Sequence, residues 1–323
     1  MHLMRLLRGL AARGWAVTLA TPAEGPLRSQ AREAGWATEE LALGGLGPGQ
    51  GARAVLSWPR ARRVARGADV LYLGGGVCGR LLPALAGLGP RPRIVLHIHD
   101  MVAGVPRPWH RADLVLADSK AVADRLPGLP VEVVYGPVEL DPPESPAPWT
   151  TDGGPVVGYV GRVEPRKGVI DLVRAAPLIR RVAPEVRVMI VGDDPYGSDP
   201  AYTREILSSP EVEHHGWVEN APGLMRHLDV LVLPSHEEPF GTVLAEAMAV
   251  GTPVVATRVD GLPEVVRDGV TGRLVAPGDP PALAEAVLEV LAHREEFGRA
   301  ARQEARRFDA GTYVAAVEAL IAA

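Results

Sequence analysis

Apolar and polar positions along this chain alternate between two rhythms. Leu3, Leu6, Leu7 and Leu10 recur at helical spacing, Gly14 ends that helix, and Ala16-Val-Thr-Leu-Ala20 follows as a strand. Further strands are predicted at Val70-Leu-Tyr-Leu73, Ile94-Val-Leu-His-Ile98, Leu114-Val-Leu-Ala117 and Val131-Glu-Val-Val134. Short, nearly unbroken apolar runs separated by helical segments are the mark of βα units on parallel sheets, whose strands are covered on both faces. Residues 1–140 therefore predict one Rossmann-like domain, and the proline-rich Asp141-Pro-Pro-Glu-Ser-Pro-Ala-Pro148 an exposed linker over 141–152. The same grammar restarts in 153–308, with strands at Val156 to Val160, Val186 to Val191, Val230 to Leu233 and Pro253 to Ala256. Helices are predicted near 169–182, 201–208, 242–249 and 281–294. This second Rossmann-like domain should hold its ligand at the carboxyl ends of its strands. The closing segment 309–323 predicts a short apolar helix, from Tyr313 to Ala323, suited to pack back on the first domain.

A doubly wound domain usually opens with a strand and a glycine-rich turn, whereas this chain opens inside its first helix. The expectation is an N-terminal domain lacking its first strand and Gly-rich loop, through a truncated or misassigned start.

Composition adds limits. A chain of 323 residues exceeds one ordinary core and suits two domains. It is 47% hydrophobic and 23% charged, with no run of the ~20 apolar residues that a membrane span needs. The first residues lack the layout of a secretory signal, so a cytoplasmic location is expected. Cys78 is the single cysteine and is expected only to pack. Residues 1–150 carry 17 basic and 13 acidic groups and residues 151–323 carry 17 and 26, so the halves differ in sign. A first half that meets an anionic membrane or acceptor would show such asymmetry, and so would an unselected surface. Among 34 basic residues only Lys120 and Lys167 are lysine, which singles out a lysine within a motif.

Two segments could carry chemistry. Gly161-Arg-Val-Glu-Pro-Arg-Lys-Gly168 joins a strand to a helix; its glycines admit a ligand to the backbone, and Arg162 and Lys167 could bracket a pyrophosphate. A solvated basic turn is the competing account. It is not a P-loop, because Lys167 precedes its glycine and no Gly-Lys-Ser/Thr order is present. Pro234-Ser-His-Glu-Glu-Pro-Phe-Gly-Thr-Val-Leu-Ala-Glu246 is again strand, turn and helix, with Gly241 and Thr242 at a helix start that favours an anion. Glu238 and Glu246 are eight residues apart, about 12 Å along one helix at ~1.5 Å per residue, too far for a hydrolase-type pair. They suit two ends of one extended ligand, such as a sugar and a ribose flanking a pyrophosphate. Glu246 lies on an otherwise apolar helix and needs a partner there.

With these residues in hand, Glu238-Pro-Phe-Gly-Thr-Val-Leu-Ala-Glu246 resembles the E-x7-E motif of glycosyltransferase family four. The run through Gly251-Thr-Pro-Val-Val-Ala-Thr, Gly261-Leu-Pro-Glu264 and Asp268 to Asp279 follows the same family in order and spacing. The resemblance spans nearly the whole chain. It implies a GT-B fold, two Rossmann-like domains facing a cleft, and a retaining, metal-independent transfer of a hexosyl group from a nucleotide-sugar to an unknown acceptor: a glycan, a lipid or a small molecule. It implies that Arg162 and Lys167 neutralise the donor pyrophosphate, that Glu246 binds the ribose, and that Glu238 with Phe240 and Gly241 holds the sugar. The amides of Thr242 and Val243 would meet the phosphates. Gly161, Gly192 and the turn His215-Gly216-Trp217-Val218 would border the nucleotide. His99, in Leu96-His-Ile-His-Asp100, matches a family position near the sugar, and Ser119 matches another short motif. No metal cluster is expected, and the leaving phosphate itself would assist deprotonation of the acceptor, with no protein nucleophile.

The chain also departs from the family. Tyr135-Gly-Pro-Val138 has tyrosine where many relatives carry asparagine, and Asp260-Gly261 stands where a double glycine is usual. With the missing first loop these bear on acceptor geometry and allow an alternative: a catalytically impaired nucleotide-sugar-binding protein. Another GT-B enzyme, such as a sugar-nucleotide epimerase or a phosphorylase, is a second alternative. A dehydrogenase is disfavoured because Gly74-Gly-Gly76 lacks the third fingerprint glycine, and nucleic-acid binding is disfavoured by the net charge of −5. Arg53, Arg60, Arg62, Arg63 and Arg66 with Trp58 form a basic helical face, either simply solvated or docking at the inner membrane surface.

Overall fold

A computed structural model describes the chain apart from Met1, residues 45–49, 86, 87, 90, 151, 152 and 198, and the side chains of Gln50 and Arg53. The chain forms two compact units, Met1–Pro137 with Ala310–Ala323, and Val138–Asp309.

The first unit opens with the helix His2–Ala12, whose Met4, Leu6 and Leu10 turn inward. Strands β1 (Thr18–Thr21) and β2 (Ala37–Glu40) form a parallel pair of their own. Strands β3 (Val70–Gly74), β4 (Arg93–Ile98), β5 (Leu114–Ala117) and β6 (Val131–Val133) form a four-stranded parallel sheet in that order. Successive side chains of a strand face opposite ways, and the two cores divide accordingly. Val95, Leu114 and Leu116 meet Leu6, Leu10 and the C-terminal helix Ala310–Ala322 through Tyr313, Val314, Val317 and Ile321. Ile94, Leu96, Ile98, Val115 and Ala117 meet Leu73, Leu82, Leu85 and Trp109 on the other face. Each fully buried Leu or Ile contributes about 1.5–3 kcal/mol, which is why β4 and β5 are apolar without alternation.

The second unit holds β7 (Val156–Val160), β8 (Arg187–Val191), β9 (Glu213–His214), β10 (Val230–Leu233), β11 (Val254–Thr257) and β12 (Gly272–Val275). They form one parallel sheet in the order β12-β11-β10-β7-β8-β9. Counted from β7, this is the doubly wound order in which the direction of winding reverses between the first and fourth strands. The loops leaving β7 and β10 at that reversal are the two segments singled out in the sequence. Helices Val169–Val182 and Thr242–Ala249 follow those loops, and Pro200–Leu207 and Pro280–Ala292 fall within two residues of expectation. The latter two start alike: the side chains of Asp199 and Asp279 accept bonds from the first-turn amides, with proline next in line.

Some elements lay outside the pattern. The first strand begins at Thr18 because its parallel partner begins at Ala37. β2 is Ala-Thr-Glu-Glu, largely exposed, β9 has only two residues, and neither carries an apolar run. The helices Pro26–Glu33 and Arg294–Glu304 are mostly polar.

Candidate functional site

In the second unit, Gly161 continues β7 by donating its amide to Val191 O, and Tyr159, buried beneath the loop, donates its hydroxyl to Arg162 O at 2.6 Å. Pro165–Lys167 form one tight turn that ends at Gly168 in the left-handed region, φ 61°. A Cβ at Gly168 would lie 2.0 Å from Pro234 O, so only glycine lets the β7 and β10 loops approach this closely. The amides of His236 and Glu237 then donate to Arg166 O, stitching the loops together. Gly192 closes the neighbouring gap, because a Cβ there would meet Gly161 O at 2.0 Å.

This stitching brings Lys167 and Glu238 together. Lys167 Nζ lies 2.5 Å from Glu238 Oε2, both side chains nearly buried, and Ser235 Oγ donates to the same oxygen at 3.1 Å. The Glu238 amide donates to Asp260 Oδ2 at 3.1 Å, and Gly261 donates to Glu238 O. Asp260 has φ 39°, the single non-glycine in the left-handed region among the described residues, a conformation that a short carboxylate side chain tolerates. Sequence reasoning noted Asp260 only as a departure; the structure gives it the task of holding the Glu238 backbone. The helix Thr242–Ala249 starts at Gly241 without a side-chain cap, so its positive end is turned to this loop. Phe240 is buried against Phe308 at 5.4 Å between ring centroids, and Glu246 is buried on the same helix at 7% exposure. Arg162 stands apart from Lys167's pairing, near Glu164 at 3.3 Å and over the ring of Tyr196 at 5.5 Å.

On the β8–β9 side, His214 Nε2 lies 2.8 Å from Gly192 O, 3.2 Å from the Gly216 amide and 3.2 Å from Asp193 Oδ1. His214 had no signal in the sequence beyond its proximity to His215. His215 packs on Trp149 at 5.3 Å, and burial holds its ring below the usual histidine range. Trp217 projects into solvent at 76% exposure and Val218 is half-buried.

In the first unit, β4 and β5 carry a second polar group at their carboxyl ends. His99 Nδ1 lies 2.8 Å from Asp118 Oδ2, and His97 Nε2 lies 2.7 Å from Asp118 Oδ1, at an angle poorer than a full hydrogen bond. Tyr72 Oη bonds His97 Nδ1. Burial opposes the Asp118 charge, but the two histidines outweigh it and hold the carboxyl far below its usual range. Burial lowers His97 despite Asp118, whereas at His99 the hydrogen bond and charge of Asp118 outweigh burial and raise the ring. Burial lowers His2 to about 4. His2, His99 and Asp118 each offer a ligand-type atom within 4.8 Å of the others, a grouping that their spacing in sequence did not show. Ser119, in the neighbouring motif, accepts from the Val122 amide and caps a short helix.

The basic face on the helix Arg53–Ala65 is divided. Trp58 donates to Arg80 O and Arg60 pairs with Glu39, while Arg62, Arg63 and Arg66 are exposed beside Val55 and Leu56, the last at 83%. The Arg53 side chain lies outside the described residues. Among them, no helix is long and apolar enough to cross a membrane. Cys78 donates to Gly74 O, and burial pushes its thiol up to about 11.

Two parallel α/β units, one with glycine-stitched loops and an uncapped helix end at its winding reversal, define a GT-B protein. Solved structures agree: Anabaena Alr3699/HepE in complex with UDP and glucose superposes with TM-score 0.83 at 23% identity, covering 100% of this chain and 95% of that one. Sucrose-phosphate synthase from Thermosynechococcus elongatus gives 0.79 at 23% identity, covering 99% and 91%. The model for Glycosyltransferase Family 4 matches residues 1–142 and that for Glycosyl transferases group 1 matches residues 154–293. The chain belongs to glycosyltransferase family four. A glycogen synthase of Mycobacterium tuberculosis is 40% identical over 45% of this chain and 36% of its own length. A phosphatidyl-myo-inositol mannosyltransferase of Mycobacterium leprae is 37% identical over 64% of this chain and 58% of its own. The chain thus spans between about a third and three fifths of the length of these curated relatives.

Proposed function

We propose that this protein transfers a hexosyl group from a nucleotide-sugar, with retention and without a metal, to an acceptor not yet known. The observation that carries this reading is the Lys167–Glu238 pair at the winding reversal, beside the start of the helix that bears Glu246. A cation paired with a carboxylate is a cation held in reserve. On donor binding the pyrophosphate takes Lys167, aided by Arg162 and the helix end, and frees Glu238 to accept bonds from sugar hydroxyls. Glu246 accepts from the ribose. Gly161, Gly192, Gly216 and Val218 line the nucleotide, and His99 serves the sugar. The departing phosphate then takes the acceptor proton. Complexes of Alr3699/HepE with UDP and with UDP-glucose support a uridine donor.

A thermal-shift screen of nucleotide-sugars tests donor binding, since a true donor well above its Kd raises Tm. Product analysis by NMR then tests retention, and turnover in excess EDTA tests metal independence. A donor that binds but is never consumed would favour the nucleotide-sugar-binding alternative; consumption without an acceptor product would favour an epimerase. The exposed Val55, Leu56, Arg62, Arg63 and Arg66 support peripheral contact with anionic lipid, tested by co-sedimentation with vesicles rich in phosphatidylserine.

A further inference from the structure

We propose that Asp118 is a positioning residue for the transfer: it fixes the ring of His99 with Nδ1 protonated and reserves Nε2 for a sugar oxygen. The proposal rests on the reading above that His99 serves the sugar. Its support is geometric. The β4–β5 register pairs His97 with Leu116 and Ile98 with Ala117, so the next residues, His99 and Asp118, meet just beyond the sheet. A carboxylate can only accept, so the 2.8 Å contact requires a proton on His99 Nδ1.

Asp118 is itself held from behind. Its second oxygen faces His97 Nε2 at 2.7 Å and the Tyr72 hydroxyl bonds His97 Nδ1; burial favours the neutral ring, which then turns its N–H to the carboxylate. Tyr72 in turn shares a hydrogen bond with Tyr313 on the C-terminal helix. Asp118, His97 and Tyr313 are buried, so the chain Tyr313, Tyr72, His97, Asp118 leaves the carboxylate little freedom to turn. His99 alone among the two histidines is partly exposed, at 32% of its side chain, and can reach a ligand. The other titratable groups acting on this cluster are His2, whose ring lies 6.4 Å from that of His99, and Asp100 and Arg5. Asp118 is the carboxylate in contact with both rings.

The test compares Asp118→Asn, Asp118→Glu and His99→Ala with the parent chain, using ¹⁵N-histidine spectra at neutral pH and steady-state kinetics. In the parent, His99 should show a protonated Nδ1. In Asp118→Asn that signature should be lost, and kcat should fall on the order of 100-fold, as for the loss of one aligned donor, with the donor KM little changed. Asp118→Glu should restore part of both. Spectra that show the same His99 protonation in Asp118→Asn would overturn the positioning role, whatever the activity. Unchanged spectra in the parent's favour with a fully active His99→Ala would instead overturn the reading that His99 serves transfer. A melting temperature that drops in Asp118→Asn while the spectra and kcat stay put would assign the carboxylate to stability alone, against the proposal.

Discussion

The two units place polar groups at the same end of a parallel sheet by different means. In the second, the loops leaving β7 and β10 do the work: backbone carbonyls and amides interlock across Gly168 and Gly192, and a nearly buried charged pair, Lys167 with Glu238, joins one loop to the other. In the first, the groups sit on or one step past the strands, and side chain meets side chain in a largely buried series from Tyr313 to His99. The loop-built site has few side chains committed to each other and can exchange partners with a ligand. The strand-built one is committed throughout and is suited to holding one ring still.

That contrast can be broken at four points. Lys167→Ala should remove the exchangeable cation: kcat with the preferred donor should fall on the order of 100- to 1000-fold in steady-state assays, with the fold intact by circular dichroism. Gly168→Ala should cost about 2–4 kcal/mol in urea unfolding, by adding left-handed strain and a collision with Pro234 O, and should weaken donor binding with it. Tyr72→Phe should cost about 1–3 kcal/mol by stranding His97 Nδ1, and leave donor binding in the second unit unaltered by calorimetry. The smallest effect is in the pH profile. His2 and His97 have folded values below the unfolded 6.5, so the stability they contribute is present above pH 6.5 and is lost as pH falls, through about 4 for His2. His99, raised, contributes in the opposite sense, below 6.5 and lost above its folded value. A Tm scan from pH 8 to 4 should therefore fall toward acid, and His2→Ala should flatten it.

How much of this was legible follows from the same contrast. The candidate-site segments Gly161 to Gly168 and Glu238 to Glu246 are each contiguous, so spacing and glycine placement exposed them directly, and the strands β7 and β10 and the helices beside them fell where apolar runs put them. Asp118 was not legible, because its partner lies 19 residues away and only the parallel register of β4 and β5 unites them. Tyr72 and Tyr313 are separated by most of the chain. His214 and Asp260 act on backbone atoms of neighbouring loops, a task that leaves no periodic trace.

The C-terminal helix Ala310–Ala322 has a consequence for biogenesis. The second unit is one uninterrupted stretch, while the first needs residues from both ends of the chain, Tyr313, Val314, Val317 and Ile321 among them. During synthesis the later-encoded unit can close while the earlier one still waits for the last helix to leave the ribosome, with Leu6, Val95 and Leu116 uncovered until then. Order of emergence and order of completion are thereby reversed for the two units.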